Sequence, residues 1–177
     1  AIQLAAALGA EVFATAGSAE KCAACERLGA ALAINYREQS FEKAINAATG
    51  GATGGGSVDV ILDIVGGDYL DRNLRLLRAG GRLAIIAFLH GGRSEADFVP
   101  VLTRGLTVFG ATLRPRGVAE KGAIAAALEE SVWPLLAEGR IAPVLDRTYP
   151  LAEAEKAHRR MESGAHFGKI LLVPGET

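Results

Sequence analysis

The chain has 177 residues, 50% hydrophobic and 22% charged, with a net charge of −1. That length supports one domain with a sizeable core, and the near-neutral balance gives no reason to expect nucleic acid or an anionic membrane as a partner. No apolar run reaches the ~18 residues that suggest a membrane span.

The chain opens with AIQLAAALGA, an apolar, alanine-rich helix with no cap and no preceding loop. Such a helix follows a strand and a glycine turn in a nucleotide-binding βαβ unit. The expectation is therefore the cofactor-binding part of a larger enzyme, entered inside its first helix. Residues 11–17 form a short β-rich run that ends at Gly17. Ser18 stands where an N-cap belongs, and a helix runs on to Leu28 before Gly29 closes it. Within that helix Cys22 and Cys25 are spaced CxxC. With no second cysteine pair and three scattered histidines, they read as two small apolar residues one turn apart, not as half a zinc site or a redox pair.

Residues 32–36 form the next strand candidate, ending at Tyr36. Ser40 caps a helix over 41–48, in which Phe41, Ala44, Ile45 and Ala48 fall at helical spacing. GGATGGGS (50–57) reads as a flexible, exposed connector. VDVILDIV (58–65) is nearly continuous in apolar and β-branched residues, the pattern of a strand buried on both faces of a parallel sheet. Gly66 and Gly67 turn the chain into a helix over 69–77. Residues 78–88 supply a glycine turn and another buried strand, and a polar loop and a short helix over 98–104 follow. LTVFGATL (106–113) is the last strand of the series. A long helix is expected over 122–138, with Trp133 and Leu136 on its apolar face. A distinct tail then contains residues 143–149, a helix over 151–162 and a strand over 169–173.

Strands alternating with helices argue for an α/β fold, a doubly wound parallel sheet of Rossmann type. Its strand order would be 3-2-1-4-5-6, with the central first strand and its glycine turn missing from the chain. Without that strand the sheet would have a hole at its centre. Open α/β sheets bind ligands at the carboxyl ends of their strands, which selects the candidate residues. NAD-binding folds place an acid after the second strand to hold the ribose hydroxyls. Here that position reads Ala16-Gly17-Ser18, which leaves room for a 2′-phosphate. Ser18 can donate a hydrogen bond and Lys21, one turn on, can supply charge. Val65 and Gly66 end one later strand, Ala87, Phe88 and Leu89 the next, and Leu113 and Arg114 follow the last.

The segments AIQLAAALGAEVFATAGSAEK, LGAALAINY, VDVILDIVGGDYLDRNLRLLRAGGRLAIIAF and AHRRMESGAHFGKILL resemble the quinone oxidoreductase (zeta-crystallin-like) branch of the medium-chain dehydrogenase/reductase superfamily. The resemblance covers essentially the whole chain. It implies a GroES-like catalytic domain ahead of the Rossmann domain, to which the chain's end returns. Residues 1–142 would then be the NADP-binding domain and 143–177 the returning tail. It implies NADPH as cofactor and no metal, with Gly17, Ser18, Lys21 and Tyr36 on NADPH-contacting positions and Arg37 a weaker phosphate candidate. Phe88 would lie along the nicotinamide half, and Gly168 and Lys169 approach the cofactor in some relatives. An arginine that some relatives carry near Gly164 is absent.

The implied reaction is reduction of a small-molecule quinone, activated carbonyl or enone. No catalytic residue is assigned to this chain, which is expected to be inactive alone. A homodimer is expected along the apolar edge that begins at Leu106 and ends at Leu113, and the implied location is cytoplasmic. Three alternatives stand beside this reading: an enoyl-reductase module of a lipid or polyketide synthase, an S-adenosylmethionine methyltransferase, and a non-enzymatic nucleotide-binding protein. Against the methyltransferase, no acid ends the second strand to hold a ribose.

Overall fold

The computed structural model describes residues 1–51 and 56–175. Its first part contains α1 (Ile2–Ala7), β1 (Phe13–Ala16), α2 (Ala19–Arg27), β2 (Leu32–Asn35) and α3 (Phe41–Ala48). The second contains β3 (Val58–Asp63), α4 (Tyr69–Leu76), β4 (Leu77–Ile85), α5 (Val99–Arg104) and β5 (Thr107–Gly110). Helices α6 (Val118–Ser131) and α7 (Trp133–Ala137) lead to the tail, β6 (Leu145–Pro150), α8 (Ala154–Glu162) and β7 (Lys169–Val173). Of the glycine-rich connector, residues 52–55 lie outside the described residues.

All strand pairs are parallel, as the βα alternation requires, but they form separate sheets: β1 with β2, β3 with β4 and β5, and β6 with β7. The single sheet expected from sequence is thus divided. The first two sheets correspond to strands 3-2 and 4-5-6 of the doubly wound order. Among the described residues no strand pairs with the second edge of β1 or of β3, so the division falls where the central strand belongs. Helices α3 and α4 bridge it. Their buried Phe41, Ile45, Tyr69 and Leu76 form one cluster with Ile34 of β2, and Val58 and Ile61 of β3 pack against it. Phe41 and Tyr69 stack with ring centroids 5.0 Å apart. The Arg72 guanidinium lies 3.9 Å from the Phe41 centroid and donates to Glu42 at 2.7 Å, covering the aromatic pair with a neutralised cation.

Strand β3 corrects the expectation of burial on both faces. Register pairs Ile61 with Leu83, and this face packs on Leu74, Leu77 and Leu106 beneath α4 and α5. Val60 and Leu62 point the other way and are each 51% exposed. Among the described residues no helix buries them, and α6 buries none of its own residues. With alanines on every side, VAEKGAIAAALEES presents no apolar stripe with which to dock.

Other differences have equally local causes. The long helix expected over 122–138 is two helices. Pro134 lacks an N–H, so α6 stops at Ser131 and α7 starts afresh with the proline in its first turn. Leu135, not Trp133 or Leu136, is the residue α7 buries. The strand expected over 106–113 pairs only over Thr107–Gly110. The helix expected from 151 begins with a 3-10 turn, Leu151–Glu153, before α8.

The tail is tied back at several points. The Gln3 side chain exchanges two hydrogen bonds with the Ala142 backbone, at 2.9 and 2.8 Å, and Arg140 donates to the Ala7 carbonyl at 2.9 Å. Asp146 accepts both arms of the Arg160 guanidinium, at 2.8 and 2.9 Å, and the Phe167 N–H at 2.9 Å. Those hydrogen bonds, Arg160's first, hold its carboxyl well below the usual carboxylate range. They fix the loop whose Phe167 packs against Cys22, Cys25, Ala30 and Ala33.

Candidate functional site

The sequence-named residues fall into two groups, each at the carboxyl ends of its own parallel sheet. In the first, Ser18 has an extended backbone (φ −156°) and its Oγ accepts the Lys21 N–H at 3.3 Å, closing the first turn of α2. The same hydroxyl donates to Glu20, which lowers the Glu20 pKa. The acid nearest the turn in sequence is therefore occupied by the cap.

Tyr36 extends the β1–β2 ladder by one bond, donating its N–H to the Ala16 carbonyl at 3.1 Å. The buried Asn35 accepts the Arg37 N–H on Oδ1 at 3.2 Å, which sets the turn that follows. These bonds lay Tyr36 and Arg37 across Gly17. A Cβ added at Gly17 would stand 2.8 Å from Tyr36 Oη and 3.4 Å from Arg37 Nε. Gly17 is thus a glycine for space and not for backbone angle, and it forms the floor of a cradle that a side chain would fill. Lys21 is engaged elsewhere: its Nζ donates to the Gly164 carbonyl at 2.5 Å. The tail loop therefore reaches the start of α2, although its nearest residue is a glycine and not a cation.

The donor set fits a 2′-phosphorylated nucleotide. It offers a small backbone floor, a phenol and two cationic side chains, and no carboxylate ends β1. At an effective dielectric near 20 a unit charge pair at 4 Å is worth about 4 kcal/mol, so the sign of the charge at this turn decides which ribose it tolerates.

In the second group a buried carboxylate organises the backbone. Asp63 ends β3 and is 3% exposed. Its Oδ1 accepts the N–H groups of Val65 (2.7 Å) and Gly66 (3.1 Å), and its Oδ2 accepts the Asn73 amide (3.2 Å). The turn so formed interlocks with the loop after β4. Leu89 and His90 donate to the carbonyls of Ile64 and Val65, at 3.1 and 2.8 Å, and Gly67 donates to Gly91 at 3.0 Å. Phe88 lies on Gly66, whose Cβ position is 2.6 Å from Phe88 Cδ1.

The structure therefore brings Val65, Gly66, Phe88 and Leu89 into one wall, with Ala87 half-buried behind Phe88. Leu113 and Arg114 follow β5 beyond the same sheet edge, where Lys121 donates to the Arg114 carbonyl at 3.2 Å. Leu113 lines a cleft with Ala111, Thr112, Arg116 and Ile124.

Asp63 and Asn73 were not among the residues selected from sequence. The available signal was the second acid of the mostly apolar run 58–65, three positions ahead of Gly66 and Gly67. Cys22 and Cys25 are free thiols, and burial pushes both pKa values up, which is the inert state. Among the described residues no three His, Cys, Asp or Glu side chains gather as a metal site, and no helix is long and apolar enough to cross a membrane.

Residues 28–172 match the zinc-binding dehydrogenase family model. Quinone oxidoreductase-like protein 2 of Bos taurus is 30% identical over 165 residues, which is 93% of this chain and 46% of that protein. The highly reducing polyketide synthase cm3B of Cordyceps militaris is 34% identical over 97% of this chain, a stretch that makes up 7% of the synthase. The solved structure of Escherichia coli quinone oxidoreductase complexed with NADPH superposes with a TM-score of 0.80 at 30% identity, covering 98% of this chain and 52% of that one. The chain spans about half the length of curated relatives it matches, 46% of the Bos taurus protein and 52% of quinone oxidoreductase 1 of Escherichia coli. A family match that takes in most of the chain settles its kinship: it belongs to the zinc-binding dehydrogenase family, as a quinone oxidoreductase-like C-terminal portion of the medium-chain dehydrogenase/reductase type.

Proposed function

We propose that the protein is an NADPH-dependent oxidoreductase that reduces quinones or related activated carbonyls and enones, and that this chain is its cofactor-binding part. Residues 1–142 would form the nucleotide-binding domain, and 143–177 would return to a GroES-like catalytic domain. The observation that carries the reading is the cradle over Gly17, floored by backbone and faced by the Tyr36 hydroxyl, with no carboxylate at the end of β1.

When bound, NADPH supplies the hydride, and the protein's task is orientation. Gly17, Ser18, Lys21 and Tyr36 hold the adenosine end. Val65, Gly66, Ala87, Phe88 and Leu89 form a wall along the nicotinamide half, and Leu113 and Arg114 flank it. Phe88 is 55% exposed, which leaves one ring face free to exclude water from a bound ring. The free thiols Cys22 and Cys25 accord with a cytoplasmic location.

Titration of the full-length protein with NADPH and NADH tests the reading. NADPH is expected to bind at least roughly tenfold more tightly, a difference of ~1.4 kcal/mol. Binding of neither removes the oxidoreductase reading. The similarity to polyketide synthases favours one second reading, an enoyl-reductase module. Faster reduction of a 2-enoyl thioester than of a quinone would establish it in place of the first.

The same reading includes a homodimer along residues 106–113. Strand β5 is a sheet edge whose four residues are all exposed, Phe109 among them, and an unprotected apolar edge favours pairing with a second copy. A solution mass of two protomers at micromolar concentration is expected. A monomer under those conditions removes the dimer.

A further inference from the structure

We infer that the cleft after β5 is a subsite for an anionic arm of the substrate: the quinone or enone reduced here carries a carboxylate or phosphate on an apolar linker. The inference rests on the oxidoreductase reading above and names the class of substrate within it. The cleft, of about 350 Å³, is lined by Ala111, Thr112, Leu113, Arg116 and Ile124. One backbone bond fixes where it begins. The Ala111 N–H donates to the carbonyl of Ile85, the last residue of β4, at 2.9 Å. The wall that carries Ala87 and Phe88 leaves from the same strand end, so the cleft starts where an arm attached to the reacting ring would extend.

Apolar lining and cationic mouth are separate parts of the cleft. Residues 111–122 carry three cations, Arg114, Arg116 and Lys121, against one acid, Glu120, in a chain whose net charge is −1. That acid is already taken. Arg116 pairs with Glu120 and donates Nε to the Thr112 carbonyl at 3.0 Å, which holds its side chain as a wall. The other two charges are uncompensated. Among the described residues the Arg114 guanidinium has no hydrogen-bond or ion-pair partner, and the residue is exposed. The Lys121 ammonium donates to the neutral Arg114 carbonyl at 3.2 Å, which brings a second charge to the same turn. Lys121 and Ile124 are neighbours on one side of α6, and Ile124 lines the cleft, so the ammonium stands at its edge. The remaining acids of α6, Glu129 and Glu130, lie about two turns further on. An oxyanion held by a free guanidinium and an ammonium gains charge-assisted hydrogen bonds. Ala111, Leu113 and Ile124 meet an apolar linker, and a neutral arm gains only that contact.

The test compares arms on one reacting group. Full-length protein with NADPH is given benzoquinones that differ only at the end of a short methylene arm: a carboxylate, its methyl ester or a phosphate. The methylenes insulate the ring, so intrinsic reactivities match. The kcat/KM of each anion is expected to exceed that of the ester by about tenfold, and the advantage to shrink at ~1 M salt. The better of the two anions identifies the group the cleft prefers. Arg114→Ala and Lys121→Met are each expected to bring the ratio of anion to ester below about threefold, and Arg114→Lys to recover part of it. A ratio within one variant is insensitive to a general loss of activity, and circular-dichroism melts check folding. Titration of the NADP⁺ complex with the same arms gives the ordering without turnover, and it decides if no quinone is reduced. Equal values for anion and ester overturn the inference and leave the oxidoreductase reading standing. So does an undiminished preference in Arg114→Ala, or in Lys121→Met should the first variant not fold. Absence of NADPH binding overturns that reading and the inference with it.

Discussion

Replacing Asp63 by alanine is expected to destabilise the protein by about 3–5 kcal/mol and to weaken NADPH binding with it. The carboxylate is buried and satisfies three donors, the Val65 and Gly66 N–H groups and the Asn73 amide. A buried donor left without an acceptor costs about 1–3 kcal/mol, and breaking a buried polar network adds to the loss of a single partner. Water admitted to the space returns part of this, so the sum is below three full penalties. Asp63→Asn separates charge from acceptance. Its oxygen can take the two backbone N–H groups, and a flip of the Asn73 amide lets the new NH₂ donate to Asn73 Oδ1. A loss of about 1 kcal/mol is expected there. Denaturant unfolding of both variants checks this, and an equal loss in the two would show that the negative charge, not the acceptor, holds the turn. The consequence for the site follows from connectivity. The Asp63 carbonyl also accepts the Ile86 N–H at 2.9 Å, and the next two carbonyls accept from Leu89 and His90. Releasing the turn therefore releases the wall that carries Phe88.

What the sequence made legible was local. Ser18 and Ser40 are short polar residues just before apolar helical runs, and both cap. Gly17 and Gly66 end strand-like runs, and both prove to be places where a Cβ would collide. The parallel βα alternation was legible because its period switches between strand and helix along the chain. What was not legible depends on distance. Nothing in residues 18–28 announces that Lys21 meets a carbonyl 143 positions away. The exposed face of β3 was misread because an apolar run such as VDVILDIV states what a strand can bury, not whether a helix arrives to bury it. The split of α6 from α7 was a misweighting of another kind. Pro134 stood in the sequence, but the apolar residues around it suggested one continuous helix. Asp63 was passed over because nothing in its sequence neighbourhood shows that a carboxylate will be buried and taken up by backbone N–H groups.

Gly66→Ala is the second large effect, and it can be divided into parts. Gly66 has φ +69°, in the region where a side chain strains the backbone, and an added Cβ would stand 2.6 Å from Phe88 Cδ1 and 2.7 Å from the Gly91 carbonyl oxygen. The backbone contribution is about 1–2 kcal/mol. The overlap contributes a further 1–3 kcal/mol or so, because the Gly91 oxygen is main chain, accepts from Gly67 at 3.0 Å, and cannot simply rotate away. Gly80 isolates the first part. Its φ is +73° and nothing lies within 4 Å of its Cβ position, so Gly80→Ala is expected to lose only the backbone share. At roughly 2–4 °C per kcal/mol for a domain of this size, thermal melts should place Gly66→Ala several degrees below Gly80→Ala. The gap between the two melts measures how tightly the loops after β3 and β4 are pressed together. Equal melting points would mean that Phe88 and the Gly91 carbonyl yield freely, and that the wall is a pair of independent loops with no fixed surface to present to a cofactor.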